Sequence, residues 1–390
     1  MSPDSRIPGD SQFLSKPFVQ RNGRTYLNEA AITYPLPSDL TELHRQSLRT
    51  LLLIQLFGAP VCSPALTKQA PRRVLEIGCG SGFWSMMCHR YFKARGHVQI
   101  SFTGIDVAPV SPGSANTAAD ATKPDRDMKW EFVNHDLRQM PWPLASEEFD
   151  LIMVKDMSLA ITNAQGQAFV DEYLRLLRPG GTLEVWESDH LIRMLRPHVP
   201  ASAATAEEAD EQEAASCLGA YVMSSNTPLS PPLNKFLVDY NAWLTEALQS
   251  LDLSAVPCTL IGPVLLQEAE ALTEVKSRRL AIPLSEVRWE REGVGGVVTS
   301  DGRQTTRDWR SKYSKAGRTL TPAQKALRKT ALLTVVQQMQ ALEPILREVS
   351  GKSLDEWDVW LDKMMSDLMG HNGASLGECL EVGAWWARKR

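Results

Sequence analysis

A glycine-rich turn after an apolar stretch is the part of the chain best suited to bind a ligand. The turn has the sequence GCGSG, with Gly78, Gly80 and Gly82 at every second position, and residues 74–77 before it are mostly aliphatic. Glycine tolerates positive φ angles and lets a ligand approach the backbone closely. The pattern predicts a strand, a turn and a helix around a cofactor, and taken alone it also fits nicotinamide and flavin cofactors.

Two residues beside the turn separate these classes of cofactor. Phe83 stands where the dinucleotide fingerprint GxGxxG has its third glycine, and its bulk would obstruct helix packing and the approach of a pyrophosphate. Glu76 precedes the turn, and an acid there suits an ammonium and a sulfonium better than a pyrophosphate. The combination favours a phosphate-free cofactor that carries positive charge.

Two further acids follow the next two predicted strands. Asp106 ends the segment FTGID, and Asp136 ends the segment FVNHD. At a strand tip beside the turn, Asp106 can accept both hydroxyl hydrogens of an adenosine ribose, and Asp136 can accept from an adenine amino group. Either acid alone reads as a helix cap or a surface residue. Together with Glu76, they place three acids at three successive strand ends, which indicates an adenosine site.

These side chains are positioned by strands that alternate with helices. The apolar pattern predicts strands at residues 74–77, 97–106, 129–134, 149–154 and 182–186, and helices at 84–93 and 167–177. This alternation predicts an α/β fold with a doubly wound parallel sheet that is covered on both faces. In such a sheet, ligands bind outside the carboxyl ends of the strands.

Other helices precede and follow this unit. Ser38 is the predicted N-cap of an amphipathic helix that ends near Phe57. The acidic segment 199–217 is predicted to be a solvated linker or a loose helix. Beyond it we expect helices at 233–248, 321–348 and 353–369, the last two from capping boxes, and strands at 275–283 and 380–387.

Composition limits the classes of partner. The 390-residue chain has a formal net charge of -4 and no Lys/Arg-rich stripe, so nucleic acid is not expected as a partner. Its apolar runs are too short to cross a membrane, and no leader pattern opens the chain, so we expect a cytoplasmic or nuclear location. The six cysteines form no CxxC pair, so neither a metal site nor a disulfide framework is expected.

The motifs together resemble the class I S-adenosylmethionine-dependent methyltransferases, and more narrowly the fungal family of LaeA-like regulators and secondary-metabolite methyltransferases. The matching segments are YPLPSD (34–39), VLEIGCGSGFWS (74–85), GIDVAP (104–109), FVNHDL (132–137), FDLIMVKD (149–156), LRPGGTLEVWE (177–187) and EVGAWWARK (381–389). Cys79 and Ser81 depart from this family, which often has threonine at those positions.

The resemblance implies a Rossmann-like seven-stranded sheet whose last strand is antiparallel and lies beside the fifth. It implies S-adenosylmethionine as the cofactor, and a lid formed by Tyr34 and the helix after it. Val107, Leu137 and Lys155 of the matching motifs join the predicted cofactor-binding residues. We accordingly divide the chain into a lid segment (1–60), a cofactor-binding core (61–190), an acidic linker with a helical insertion (191–270), and the last two core strands with a helical cap (271–390).

Methyl transfer from a sulfonium is an in-line displacement that depends mainly on positioning. A hydroxyl or protonated amine acceptor also needs a base, for which the residues after the fourth and fifth strands are candidates. We predict His190 and Asp156 for this role, although a histidine after a strand is more often structural. Aromatic residues in the C-terminal helices are usually core, but they could also form an apolar roof over an acceptor pocket. This favours a hydrophobic small molecule as the acceptor of the methyl group, on oxygen or nitrogen, although the sequence does not choose among oxygen, nitrogen and carbon.

Two other functions agree with the sequence. The LaeA-like resemblance permits a regulatory subunit that binds the cofactor and a protein partner without turnover. A protein methyltransferase would need an acidic channel for a basic peptide, and the acids at 207–213 are the candidates for it.

Overall fold

The computed structural model describes residues 17–28, 33–110, 123–198, 203, 205–292, 320–370 and 373–390. Its strands are β1 (Phe18–Arg21), β2 (Arg24–Leu27), β3 (Arg73–Ile77), β4 (Ser101–Asp106), β5 (Lys129–Asn134), β6 (Phe149–Lys155), β7 (Leu177–Ser188), β8 (Arg193–Leu195), β9 (Tyr221–Val222), β10 (Leu229–Ser230), β11 (Leu272–Pro283) and β12 (Glu378–Lys389). Its helices are α1 (Leu40–Phe57), α2 (Pro64–Lys68), α3 (Phe83–Lys93), α4 (Gly166–Leu176), α5 (Ala206–Leu218), α6 (Lys235–Ser250), α7 (Ile261–Gln267), α8 (Arg288–Arg291), α9 (Pro322–Ala341), α10 (Glu343–Ser350) and α11 (Leu354–Met365).

Five parallel strands form the centre of one sheet, in the order β7-β6-β3-β4-β5. β12 lies antiparallel between β7 and β11, so the last strand is beside the fifth, as the resemblance implied. Three short strands, β8, β9 and β10, extend the sheet to ten strands instead of seven. Two of these have only two residues each, which is too short for a periodic pattern in the sequence.

The central strands are buried on both faces, which confirms the doubly wound α/β class. Residues 74–77 of β3 and 149–154 of β6 are all buried, and this explains their nearly continuous apolar sequence. Val74 packs in one hydrophobic cluster with α3, whereas Leu75 packs in another with α4. Successive side chains of a strand point to opposite faces, so the two helices cover opposite faces of the sheet.

Helix α1 is part of the hydrophobic core. Its N-cap is Asp39, one residue later than the predicted Ser38, and Gly58 at φ 82° ends it. The Phe57 ring of this helix lies 4.9 Å from the Trp186 ring of β7, measured between centroids. Removing residues 1–60 would therefore remove core side chains together with any lid.

Two other elements differ from the prediction, and the acidic segment follows one of the two predicted alternatives. Strand β7 begins at Leu177, whereas the predicted strand begins at residue 182. The acidic segment contains helix α5, whose N-cap is Thr205. The helix predicted at 321–348 is divided into α9 and α10 at Leu342, because Pro344 lacks the N–H that would continue the helix. The capping boxes at Thr321 and Ser353 are confirmed.

The aromatic side chains of the C-terminal helices pack against one another. Ring centroids in the cluster of Phe236, Trp243, Trp357 and Trp360 lie between 4.9 and 6.1 Å apart. This cluster belongs to the hydrophobic core and its border. The aromatic residues therefore follow the core alternative, and they give no support to the prediction of a hydrophobic acceptor.

Two expectations from composition can be compared with the structure. All six cysteines are free thiols, and four of them are buried. In the part of the chain that the structure describes, no helix is long and apolar enough to cross a membrane.

A buried ion pair joins α9 to the region of α8 and β9. Arg328 is 1% exposed and Glu290 is 4% exposed, and their side chains form hydrogen bonds of 2.7 and 2.8 Å. Arg328 also donates to the carbonyls of Gly219 and Ser285, and Tyr221 Oη donates to Glu290 at 2.6 Å. Removal of either charge would leave the other buried without compensation.

We expect Arg328→Met to lower the free energy of unfolding by about 3–5 kcal/mol, because Glu290 would lose its cation while it stays buried. Chemical denaturation at neutral pH measures this change. The control is Arg288→Met, which removes an exposed pair with Glu292 and is expected to cost less than about 1 kcal/mol. An equally small loss for Arg328→Met would show that the buried pair does not stabilise the fold.

Candidate functional site

The turn between β3 and α3 has the left-handed backbone for which glycine is suited. Gly78, Gly80 and Gly82 have φ angles of 61°, 51° and 70°. A Cβ atom on Gly78 would overlap Met157 Sδ, so the turn lies directly against the segment that follows β6. Gly78 N donates to Ile105 O at 2.9 Å, which ties the turn to β4.

Asp106, at the end of β4, holds the same turn through its carboxylate. Oδ2 accepts from Gly80 N and Oδ1 accepts from Ala108 N, each at 2.8 Å. Burial raises the pKa of Asp106, and these backbone donors oppose the rise. Each carboxylate oxygen has a further lone pair. Asp106 can therefore accept hydrogens from a ligand while it holds the turn.

A cavity lies above the turn at the carboxyl ends of β3, β4, β5 and β6. Ten of the twelve predicted site residues line it: Tyr34, Gly78, Gly80, Asp106, Val107, Asp136, Leu137, Lys155, Asp156 and His190. The structure thus brings residues from the N-terminal segment and from five strand ends to one place, since His190 follows β7.

Glu76 and Gly82 are not among the described residues that line the cavity. Glu76 is 3% exposed, and its Oε2 accepts from Ser85 Oγ at 2.6 Å and from Ser85 N at 3.2 Å. It therefore anchors the first turn of α3, where backbone N–H groups have no helical partner. Gly82 is the N-cap of α3. The carboxylate of Glu76 is thus occupied by Ser85, and its predicted contact with a charged ligand stays a prediction.

Asp136, at the end of β5, is held in place by Arg138. The Arg138 guanidinium donates to Oδ2 at 2.7 Å and to Oδ1 at 2.9 Å, and Arg138 N donates to Oδ1 at 3.0 Å. Burial would raise the pKa of Asp136, but Arg138 lowers it below the ordinary value. The side chain is therefore an ionised carboxylate on the cavity wall.

Helices α1 and α9 supply polar side chains that the sequence analysis did not identify as site residues. Arg45, Gln46 and Arg49 come from α1, and Gln338 comes from α9. Gln46 Oε1 lies 3.6 Å from the position of a Cβ on Gly80, so α1 covers the glycine turn. The helical spacing of the arginines is the feature of the sequence that could have indicated them as site residues. Such a stripe usually faces solvent, and only the tertiary fold shows that this one is buried.

His190 lines the cavity, but its contacts do not favour a role as a base. Gln338 Nε2 lies 3.0 Å from its Nδ1, and Ser158 Oγ lies 2.9 Å from its Nε2. Gln338 Oε1 accepts from Arg49, which orients the amide so that its nitrogen donates to His190. His190 Nε2–H then donates to Ser158, whose hydroxyl donates to Glu187 at 2.8 Å. Burial, with the charge of Arg49, lowers the pKa of His190 to about 3.

Asp156 combines an unusual backbone with a strongly acidic carboxyl. Its φ of 54° is uncommon for a residue other than glycine, and such strain clusters at functional sites. Lys155 Nζ donates to Oδ2 at 2.9 Å, and Arg49 Nε lies 3.4 Å from Oδ1. Burial would raise the pKa of Asp156, but the neighbouring cations lower it to about 2. Catalytic roles for Asp156 and His190 remain predictions.

His89, Asp125 and Asp127 bring three possible metal ligands within 4.8 Å of one another, in the part of the chain that is described. Arg90 Nε lies 2.8 Å from Asp125, and Lys93 Nζ lies 2.6 Å from Asp127. Basic side chains already neutralise the two acids, so this cluster does not indicate a metal site.

Comparison with known proteins identifies the class. Residues 74–181, which include the glycine turn, Asp106 and Asp136, match the family model described as a methyltransferase domain. The chain therefore contains a class I S-adenosylmethionine-dependent methyltransferase domain.

Individual relatives match parts of the chain. It is similar to demethylmenaquinone methyltransferase of Tropheryma whipplei, with 30% identity over 33% of this chain and 46% of that protein. It is 27% identical to the secondary metabolism regulator laeA of Aspergillus flavus, over 45% of this chain and 42% of that protein. The matches span less than half the length of these curated relatives. The solved structure of N-methyltransferase NodS from Bradyrhizobium japonicum is 25% identical over 39% of this chain and 64% of that chain, with a TM-score of 0.26.

Burial of Glu76 raises its pKa from 4.5 to about 7, which predicts a pH-dependent stability. The folded protein keeps this proton at pH values where the unfolded chain has lost it. The contribution is therefore fully present below pH 4.5 and is lost as the pH rises to about 7.

Glu76→Gln cannot ionise and keeps an oxygen that can accept from Ser85. Its free energy of unfolding relative to the wild type should therefore rise by up to about 3 kcal/mol between pH 5 and pH 8. Urea denaturation of both proteins at the two pH values measures this change. The exposed Glu348→Gln is the control, with the same difference expected at both pH values. An equally constant difference for Glu76→Gln would contradict the raised pKa.

Proposed function

We propose that this protein transfers a methyl group from S-adenosylmethionine to an oxygen or nitrogen of a small molecule. The observation that carries this proposal is the cavity at the strand ends, with Gly78, Gly80 and Asp106 on its wall. A turn without side chains, next to a carboxylate with free lone pairs, suits the ribose of an adenosine cofactor.

The residues of the wall fit the different parts of this cofactor. Asp106 would accept from the ribose hydroxyls, and Asp136 would accept from the adenine amino group. Tyr34 and Lys155 line the cavity and would enclose the methionine part. When bound, S-adenosylmethionine supplies an electrophilic methyl group on a positively charged sulfur. The protein then has to hold the acceptor atom in line with that group and keep water out.

The properties of the two predicted bases favour a mechanism that depends on positioning over one that depends on a base. His190 has a pKa lowered to about 3 and both of its ring nitrogens are engaged, and Asp156 has a pKa of about 2. A base works best with a pKa near the working pH, so neither group would remove a proton efficiently in these contacts. The acceptor atoms that this site suits best are those that need little help with deprotonation.

Similarity to laeA supports a place in fungal secondary metabolism, and it supports a second candidate function. A regulatory subunit would bind the cofactor and a protein partner without methylating a small molecule. A protein methyltransferase has less support, because the acids of α5 are absent from the described wall of the cavity and Glu211 is paired with Arg278.

Calorimetry of the purified chain tests which cofactor the protein binds. We expect binding of S-adenosylmethionine and S-adenosylhomocysteine and none of NADH. NADH binding without a response to either sulfur compound would overturn the proposal.

Metabolite comparison with and without the gene then tests turnover, through pairs of compounds that differ by one methyl group. Cofactor binding without such pairs would favour the regulatory alternative.

Asp106→Ala should weaken S-adenosylhomocysteine binding by roughly 30- to 1000-fold. It removes two charge-assisted hydrogen bonds to the ribose, and water recovers part of the loss. Titration calorimetry measures the affinity, and thermal unfolding without ligand reports the loss of the contacts to Gly80 and Ala108. The control is Asp358→Ala, which replaces an exposed acid of α11 and should leave the affinity unchanged. Near-normal affinity with a lowered melting temperature would reject Asp106 as a ribose ligand.

A further inference from the structure

Arg49 is a buried cation with an unused hydrogen-bond donor, Nε. The side chain lines the cavity and is 3% exposed. Its Nη1 donates to Gln338 Oε1 at 3.2 Å. Among the described residues, its Nε has no hydrogen-bond partner, and the nearest carboxylate oxygen, Oδ1 of Asp156, lies 3.4 Å away in an ion pair. A buried donor without an acceptor costs free energy, which a ligand with suitable oxygens would recover.

The neighbouring arginine has no such deficit. Arg45, one helical turn earlier, donates to both carboxylate oxygens of Glu42 at 2.6 and 2.8 Å. This geometry is the two-pronged pair in which a guanidinium is best satisfied. The contrast indicates that Arg49 is the residue with bonds left for a ligand.

The charges around this end of the cavity leave an excess of positive charge. Three cations, Arg45, Arg49 and Lys155, lie among two carboxylates, Glu42 and Asp156. Nearby His190 is neutral. Glu187 lies behind the segment after β6, where it accepts from Met157 N, Ser158 N and Ser158 Oγ. It does not line this cavity among the described residues, although its charge acts on Arg49 from behind that segment. The ion-paired group of Arg45, Arg49 and Lys155 with Glu42 and Asp156 has one more cation than carboxylates, which is complementary to a monoanion.

We propose that Arg49 forms a carboxylate-binding subsite at this end of the cavity. The planar guanidinium matches the two oxygens of a carboxylate, which would take up the unused Nε–H. Two ligands expected here carry this group: the cofactor, in its methionine part, and an acceptor that is itself a carboxylic acid. The inference rests on the proposed function, because that function places both ligands in this cavity.

The first arm of the test compares two ligands of the full chain. S-adenosylhomocysteine carries the carboxylate, whereas 5′-deoxy-5′-methylthioadenosine keeps the adenosine and the sulfur but lacks the amino acid part. If the cofactor occupies the subsite, Arg49→Gln should weaken the binding of S-adenosylhomocysteine by about 10- to 100-fold and leave the affinity for methylthioadenosine unchanged. Arg49→Lys keeps the charge but not the planar set of donors, and should show a smaller loss of affinity.

The second arm detects an acceptor carboxylate. Benzoate is titrated into protein saturated with S-adenosylhomocysteine. If the acceptor occupies the subsite, the wild type should bind benzoate, Arg49→Gln should bind it at least about 10-fold more weakly, and the affinity for S-adenosylhomocysteine should not change.

Controls separate the possible failures. Thermal unfolding confirms that each variant is folded, and the exposed Arg288→Gln should bind all ligands normally. If Arg49→Gln does not fold, Arg49→Lys, which keeps a cation beside Asp156, gives the same comparison. Normal binding of S-adenosylhomocysteine to the Arg49 variants, with no Arg49-dependent binding of benzoate, would overturn the subsite. A wild type that binds neither adenosine ligand would instead overturn the proposed function.

Discussion

Several backbone N–H groups in the loops that border the sheet have no strand or helix partner, and carboxylates accept their hydrogen bonds. Asp106 accepts from Gly80 and Ala108 of two different loops at the cavity. Glu187 of β7 accepts from Met157 N and Ser158 N at 2.7 and 2.9 Å, so it fixes the segment that packs on the glycine turn. Because buried N–H groups need acceptors, these carboxylates determine how the loops lie over the strand ends.

The same contacts have an electrostatic cost. Burial raises the pKa of Glu184 and of Glu187 to about 7, in the latter case with a contribution from Asp156. Each is retained because several donors converge on it, as Cys62 N and Ser63 N do on Glu184. Burial of these two carboxylates therefore lowers the stability of the ionised protein at neutral pH. The hydrogen bonds oppose this loss, and they fix the backbone at Cys62 and Ser63 and, beside the cavity, at Met157.

Features that depend on local chain chemistry could be predicted from the sequence. The positive φ angles at Gly78 and Gly80 and the capping boxes each follow from a few neighbouring residues. The parallel strands follow from the alternation of strands with helices along the chain. The polar face of α1 could not be assigned in this way, since its spacing is equally typical of a helix that faces solvent. For Glu76 the sequence identified an acid beside the turn, but the hydrogen bond that it accepts from Ser85 depends on side-chain packing and could not be predicted.

The segment inserted between β11 and β12 shows why the chemistry of the cavity wall was harder to predict than its position. Its aromatic residues, which suggested an apolar roof, pack into the core, whereas Gln338 of α9 reaches the wall. The single amide of Gln338 accepts from Arg49 and donates to His190, so it sets the tautomer of the histidine and fixes one end of the arginine. A wall built from an amide, a neutral imidazole and guanidinium groups recognises a ligand by charge and hydrogen-bond geometry. The inserted helices therefore determine the polarity of the site, although most of their side chains only support it from the core.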